Sequence, residues 1–148
     1  MRKSIVPLLL LAGLAGCAST GKTPAYGSYV DGTSPATEQV VVQDVVKRLV
    51  AAYPPARTRL NLQHPATDAF GAALVATMRT KGYALGEYKA APAAKTEPGA
   101  YAFAYVFDQP AGTDLYRVTL FINNEALSRV YEAKAGAIAP AGYWVRKE

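Results

Sequence analysis

Side chains able to do chemistry are few in this chain. It has one cysteine, Cys17, and one histidine, His64, and its serines at 28, 34 and 128 stand in no Gly-x-Ser-x-Gly turn. A nucleophilic triad needs a base beside its hydroxyl or thiol, and His64 is the single imidazole to choose from. Zinc and other transition metals need several His or Cys ligands, which one of each does not supply. Asp108 and Asp114 flank one turn but lack the spaced oxygen ligands of a calcium loop. Together with Glu125 and Glu132 they fall at hairpins and strand ends, where acids commonly face water instead of forming an acid–base pair. There is no P-loop and no G-x-G-x-x-G. The expectation is therefore no catalytic residue, no cofactor and no metal. His64, beside Pro65 at a strand–helix junction, is read as a surface or capping residue.

The chemistry that remains belongs to Cys17. Met1-Arg2-Lys3 is a short basic start, and Ile5 to Leu14 is an apolar stretch broken only by Pro7. That stretch is too short to span a bilayer and is flanked like the core of a signal peptide. It ends in Leu14-Ala15-Gly16-Cys17, which resembles the lipobox of bacterial lipoproteins. The order has a chemical reason: a thiol takes the diacylglyceryl group, and small side chains admit the peptidase. Residues 1–16 are read as signal peptide and Cys17 as the lipidation site. Ala18 follows the cysteine where Asp would signal inner-membrane retention, so resemblance to enterobacterial sorting rules implies the outer membrane, with the domain in the periplasm. Acyl chains hold such a protein firmly, at about 0.8 kcal/mol per buried CH₂. With its only cysteine lipidated, the mature chain has no disulfide, and its core alone must hold the fold.

These residues need a scaffold, and length and composition bound it. The 148 residues, 51% hydrophobic, suit one domain and exclude a disordered chain. A net charge of +5 hints at nucleic acid, but cleavage takes Arg2 and Lys3 with it, and the remaining cations are spread out. No direct nucleic-acid contact is expected.

Residues 17–35, rich in Ser, Thr, Gly and Pro, read as a lipid-anchored flexible tether carrying Tyr26 and Tyr29. Ser34-Pro35 then opens a helix with Ser as N-cap and Glu38 in its first turn. Val42, Val45, Val46, Leu49 and Tyr53 give it one apolar stripe, and Pro54-Pro55 stops it. Arg57 to Gln63 alternates as a half-buried strand with Arg57 and Arg59 on its polar face. A second helix begins near Pro65 to Asp68, buries Phe70, Ala73, Leu74, Thr77 and Met78, and ends at Lys81-Gly82. Tyr83 to Tyr88 follows as a short strand, making a βαβ-like unit. Lys89 to Gly99 reads as an exposed loop. The rest is β: 101–107, 115–122, a tight turn at Asn123-Asn124, 126–133, and a short edge strand near Tyr143-Trp144-Val145. The order predicts an α+β fold, a two-layer α/β sandwich with two helices packed on a mixed four- to five-stranded sheet, as one domain over 36–148.

Tyrosine outnumbers the other aromatics, with ten residues against four Phe and one Trp. Its ring packs while its hydroxyl stays wet, which suits interfaces. Tyr26 and Tyr29 in the tether and Tyr143-Trp144 in the tail are the candidate partner contacts. Arg57 and Arg59 are either a solvated face or a contact for an acidic partner or lipid head groups.

The run Tyr53-Pro54-Pro55-Ala56-Arg57-Thr58-Arg59-Leu60, followed by Asp68-Ala69-Phe70-Gly71-Ala72-Ala73-Leu74, resembles the TrbH family of conjugal transfer lipoproteins. So do Tyr116-Arg117-Val118-Thr119-Leu120, Leu127-Ser128-Arg129 and the ending from Pro140 to Glu148. The resemblance implies a part of the mating-pair-formation apparatus, a type IV secretion system that moves plasmid DNA between bacteria. It implies a structural lipoprotein in a large outer-membrane complex that tethers and docks channel subunits, and it carries over no residue but Cys17. The alternative is a periplasmic binding or regulatory lipoprotein that acts on an envelope enzyme or ligand.

Overall fold

The computed structural model describes residues 25–90 and 98–148. The signal peptide, Cys17 and the middle of the 89–99 loop lie outside the described residues.

Helix α1, Pro35–Ala52, starts where its sequence requires: Ser34 Oγ accepts from Thr37 N–H at 3.1 Å. Five of its buried residues, Val41, Val42, Val45, Val46 and Leu49, form the stripe that turns inward. Pro54-Pro55 ends it, and a single 3₁₀ turn, Pro55–Arg57, leads into strand β2, Arg59–Leu62. Helix α2, Ala69–Thr80, is capped by Asp68, whose Oδ1 accepts from Gly71 N–H at 2.7 Å. Its exit is left-handed at Gly82, φ 90°. Strand β3, Ala84–Gly86, pairs parallel with β2, completing the expected β–α–β unit.

Strand β4, Tyr101–Asp108, runs parallel to β2 and antiparallel to β5, Leu115–Ile122. Asn123, φ 53°, turns the chain into β6, Glu125–Lys134. Ala135 and Gly136, φ 51° and 78°, make the next turn into β7, Ala137–Pro140. Strand β8 is Val145–Lys147, so Tyr143-Trp144 precede the edge strand expected to contain them.

The architecture is the expected pairing of two helices with a mixed sheet, but the sheet has eight strands, not four or five. The difference lies in strands too short for periodicity to reveal. Gly27–Ser28, within the stretch read as tether, forms β1 and pairs parallel with β4. β7 and β8 divide the outer edge of β6 between them. The order is β3-β2-β4-β5-β6-β7, with β1 in line beyond β2 and β8 in line with β7.

Both helices pack on one face. Phe103, Tyr105 and Phe107 of β4, Val118 and Leu120 of β5 and Tyr131 of β6 are fully buried against Phe70, Leu74 and Met78 of α2 and the valines of α1. Phe70 stacks on Phe107 at 4.5 Å between ring centres. Burying one such side chain stabilises the fold by about 1.5–3 kcal/mol, which is what replaces a disulfide here. Gly71 is required by close packing: a Cβ there would stand 1.8 Å from the Tyr105 hydroxyl.

Candidate docking surface

Period-2 alternation sends the other half of each strand to the opposite face, and among the described residues no helix lies over it. Val106, Thr119, Phe121, Ser128 and Val130 are half-buried there, and Ala104 is buried by its neighbours. The face is apolar and fine-grained, with no large charge at its middle. Towards the β6 edge it deepens into a concavity of about 780 Å³ between Leu115, Val130, Val145 and Tyr143, with Ser128, Arg129 and Glu132 also lining it. Tyr143 is 92% exposed and Val145 is 63% exposed. They are the two most exposed large apolar side chains among the described residues.

That exposure is built, not frayed. Arg129, on β6, donates its Nε–H to the Gly142 carbonyl at 2.9 Å and lies 6.0 Å from the centre of the Trp144 ring. Its Nη1 donates to both carboxylate oxygens of Asp44 on α1, at 3.0 and 2.9 Å. Tyr131 donates to the same carboxylate at 2.8 Å, and burial followed by this bond raises its hydroxyl pKa well above the usual range. Residues 142 and 144 are thus tied to one guanidinium, and Tyr143 between them points outward. Two residues further on, Arg146 pairs with Glu125. Glu125 also accepts from Tyr53, and this bond, then Arg146, holds its carboxyl below the usual range. Burial, then Glu125, pushes the Tyr53 hydroxyl up to about 12.

Of the other sequence candidates, only Tyr26 reaches this face, at Phe121 and away from the concavity. Tyr26 is half-buried, its ring 5.4 Å from both His64 and Phe121, so it covers the sheet's own residues. Tyr29 is 54% exposed, and its N–H donates to the Phe107 carbonyl at 2.8 Å. Arg57 and Arg59 are exposed at the opposite end of the strands from Asp108. Trp144 is half-buried beside Arg129, and Tyr143 is the exposed member of that pair. Asp108 forms an ion pair with Arg117 at 2.5 Å.

His64 was expected as a surface or capping residue, but it is only 8% exposed. Its Nδ1 faces the Pro65 carbonyl at 3.1 Å and so carries the proton, which leaves Nε2 to accept from Tyr105 N–H at 3.4 Å. Burial lowers its pKa. Arg129 and His64 are the residues that sequence reading missed. An arginine in a strand and a histidine before a proline have no periodicity that announces such a task.

The model of the family described as conjugal transfer protein TrbH matches residues 23–148 of the chain. No curated protein and no solved structure gives a significant match.

Proposed function

The chain belongs to the TrbH family of conjugal transfer proteins, and from that premise we propose that it is a structural, non-enzymatic outer-membrane lipoprotein of a conjugative type IV secretion channel. Acyl chains on Cys17 fix it to the membrane, and the domain, in the periplasm, docks channel subunits. Confinement at the membrane raises the effective concentration for that docking.

One observation carries the reading: an open apolar sheet face ends in a tyrosine 92% exposed, held between two pinned residues. A rigid exposed aromatic beside a concavity is the usual anchor of a protein interface, since little freedom is lost when it docks. Nothing about that face is laid out for bond chemistry, because it holds no nucleophile with a base.

The test is the native size of the tagged protein in detergent extracts of outer membrane, with and without its neighbouring gene cluster. A shift into a very large particle only when the cluster is present supports a channel component. Tyr143→Ala with Val145→Asp should abolish that shift without lowering the amount of protein. A small species unchanged in both backgrounds would favour the other reading, a free-standing periplasmic lipoprotein that binds an envelope enzyme or ligand.

A further inference from the structure

The charges of this domain are sorted along the strand axis. Both helices run the same way, with their C-termini at the end where β2, β3 and β4 begin. That end collects Lys47 and Arg48 of α1, Arg57, Arg59, Lys81 and Lys147. Lys47 and Lys81 line one hollow, and Gly82 lies against Pro55, which brings the Lys81 and Arg57 segments together. Asp44, which lines the same hollow, is engaged by Arg129 and Tyr131, and Glu125 and Glu148 are both engaged by Arg146. Lys47, Arg57, Lys81 and Lys147 form no ion pair among the described residues. The opposite end carries Asp31, Glu38, Asp68, Asp108, Asp114 and Glu132 against Arg117 and Lys134.

Part of this sorting serves the helices, whose positive ends favour acids and whose negative ends favour cations. That accounts for Glu38, Asp68 and Lys81. It does not account for Arg59 and Lys147, which lie in strands, and a single 3₁₀ turn ending at Arg57 is too short to account for that cation. Nor does it explain Tyr101, which is 37% exposed at the same end with its ring against Tyr53. Basic side chains around an exposed tyrosine match the interface of an anionic bilayer, where rings sit at head-group level and cations meet phosphate.

We propose that this basic end rests on anionic head groups of the same membrane that holds Cys17, with the acidic end turned away. The proposal rests on the lipoprotein reading above. Chain length permits it. Nine residues from Cys17 to Tyr26 reach at most about 30 Å. Tyr26 packs on His64, and five strand residues from there back to Arg59 cover about 17 Å. The anchor can therefore reach the plane of the basic end with slack. It would present the open sheet face sideways, to neighbours within the membrane plane.

The test uses the full mature lipoprotein reconstituted in vesicles and lysine acetylation as a footprint. Vesicles of phosphatidylcholine alone are compared with vesicles containing about one third phosphatidylglycerol. Lys47 and Lys81 should react several-fold more slowly on the anionic vesicles, and high salt should restore their reactivity. Lys134, at the acidic end, should react equally on both. Arg57→Glu with Lys81→Glu should return Lys47 to its rate on neutral vesicles, because each cation is worth about fivefold in partition onto an anionic surface. Equal rates for Lys47 and Lys81 on both vesicles would overturn the proposal, as would protection of Lys134 to the same degree. So would protection of Lys47 and Lys81 by duplex DNA but not by phosphatidylglycerol. Flotation with neutral vesicles reads the acyl anchor separately: a chain that does not float there lacks the anchor, whatever its lysines do.

Discussion

Two strands of the sheet, β4 and β6, have an outer edge that no single neighbour covers. On β4 the edge is shared by β2, which pairs with residues 101–103, and β1, which pairs with 106–107. On β6 it is shared by β8, at 126–128, and β7, at 131–134. Each pair leaves a seam where the ladder would show unpaired groups, a cost the fold avoids by filling the gap from a neighbouring residue. At the β4 seam a neutral imidazole accepts from the Tyr105 amide. At the β6 seam Ala141 donates to the Val130 carbonyl, and the Arg129 guanidinium donates to the Gly142 carbonyl. One filler is an imidazole whose pKa burial lowers, and the other is a guanidinium that stays charged. The comparison teaches that this sheet has one seam sensitive to acid and one locked by charge.

The largest effect should come from unlocking the charged seam. Asp44→Ala removes the carboxylate that holds both Arg129 and Tyr131, leaving a mostly buried guanidinium without its counter-ion and a buried hydroxyl without its acceptor. The expected loss is about 3 kcal/mol in urea unfolding. A loss under about 1 kcal/mol would mean that water replaces the carboxylate and the lock is not a lock.

Gly71→Ala strikes the other seam from the helix side. The new Cβ would displace the Tyr105 hydroxyl from Asp68, to which it donates at 2.6 Å, and the expected cost is about 2 kcal/mol. Restoring space with Tyr105→Phe in the same chain should recover part of it; no recovery would show that the clash lies with the Ala66 backbone instead.

His64→Ala should cost about 1 kcal/mol at neutral pH for the lost acceptor. The sharper measurement is pH dependence. Burial lowers the folded-state pKa of His64 below its ordinary 6.5, an effect opposed by the Pro65 carbonyl and the Asp68 carboxylate. The unfolded chain therefore takes up the proton first as pH falls. The stability His64 contributes is full above about 6.5 and is lost as pH drops through that value towards the folded pKa. His64→Gln should flatten the stability profile in this window and leave hydrogen exchange at Tyr29 N–H independent of pH-driven opening. Arg129 variants should leave the His64-dependent slope intact, which keeps the two seams separable.

The smallest effect should be a gain. Ala135 sits at φ 51° in the β6–β7 turn, a conformation that costs an L-residue about 1–2 kcal/mol. Ala135→Asn, whose side chain tolerates that region, should raise stability by about 0.5 kcal/mol in thermal unfolding. A decrease would show that the Ala135 methyl group makes a contact worth more than the strain.

Much of this molecule was legible because it is written locally. Ser34-Pro35, the valine stripe, Pro54-Pro55, Asp68 and Gly82 mark helix ends through groups within four residues of one another, and β4 and β5 alternate over eight residues each. Tyr143 and Trp144 looked alike as residues suited to contact, and only the structure shows that Tyr143 is exposed while Trp144 is half-buried beside Arg129. The seams were not legible. A two-residue strand such as Gly27–Ser28 has no period to detect, and it exists only because β2 stops short along the edge of β4.

The sequence by itself determined the two helices, the long strands, the α+β class and the family, because each rests on short-range pattern or on residues in a recognisable run. Tertiary structure alone decided that His64 completes a ladder and that Arg129 aims Tyr143 outward. It alone also decided that scattered cations gather at one end. The first two depend on residues 41 and 85 positions apart meeting in space, and the third on cations spread from position 47 to 147. Such meetings are set by the order in which strands join the sheet, and no local pattern records that order.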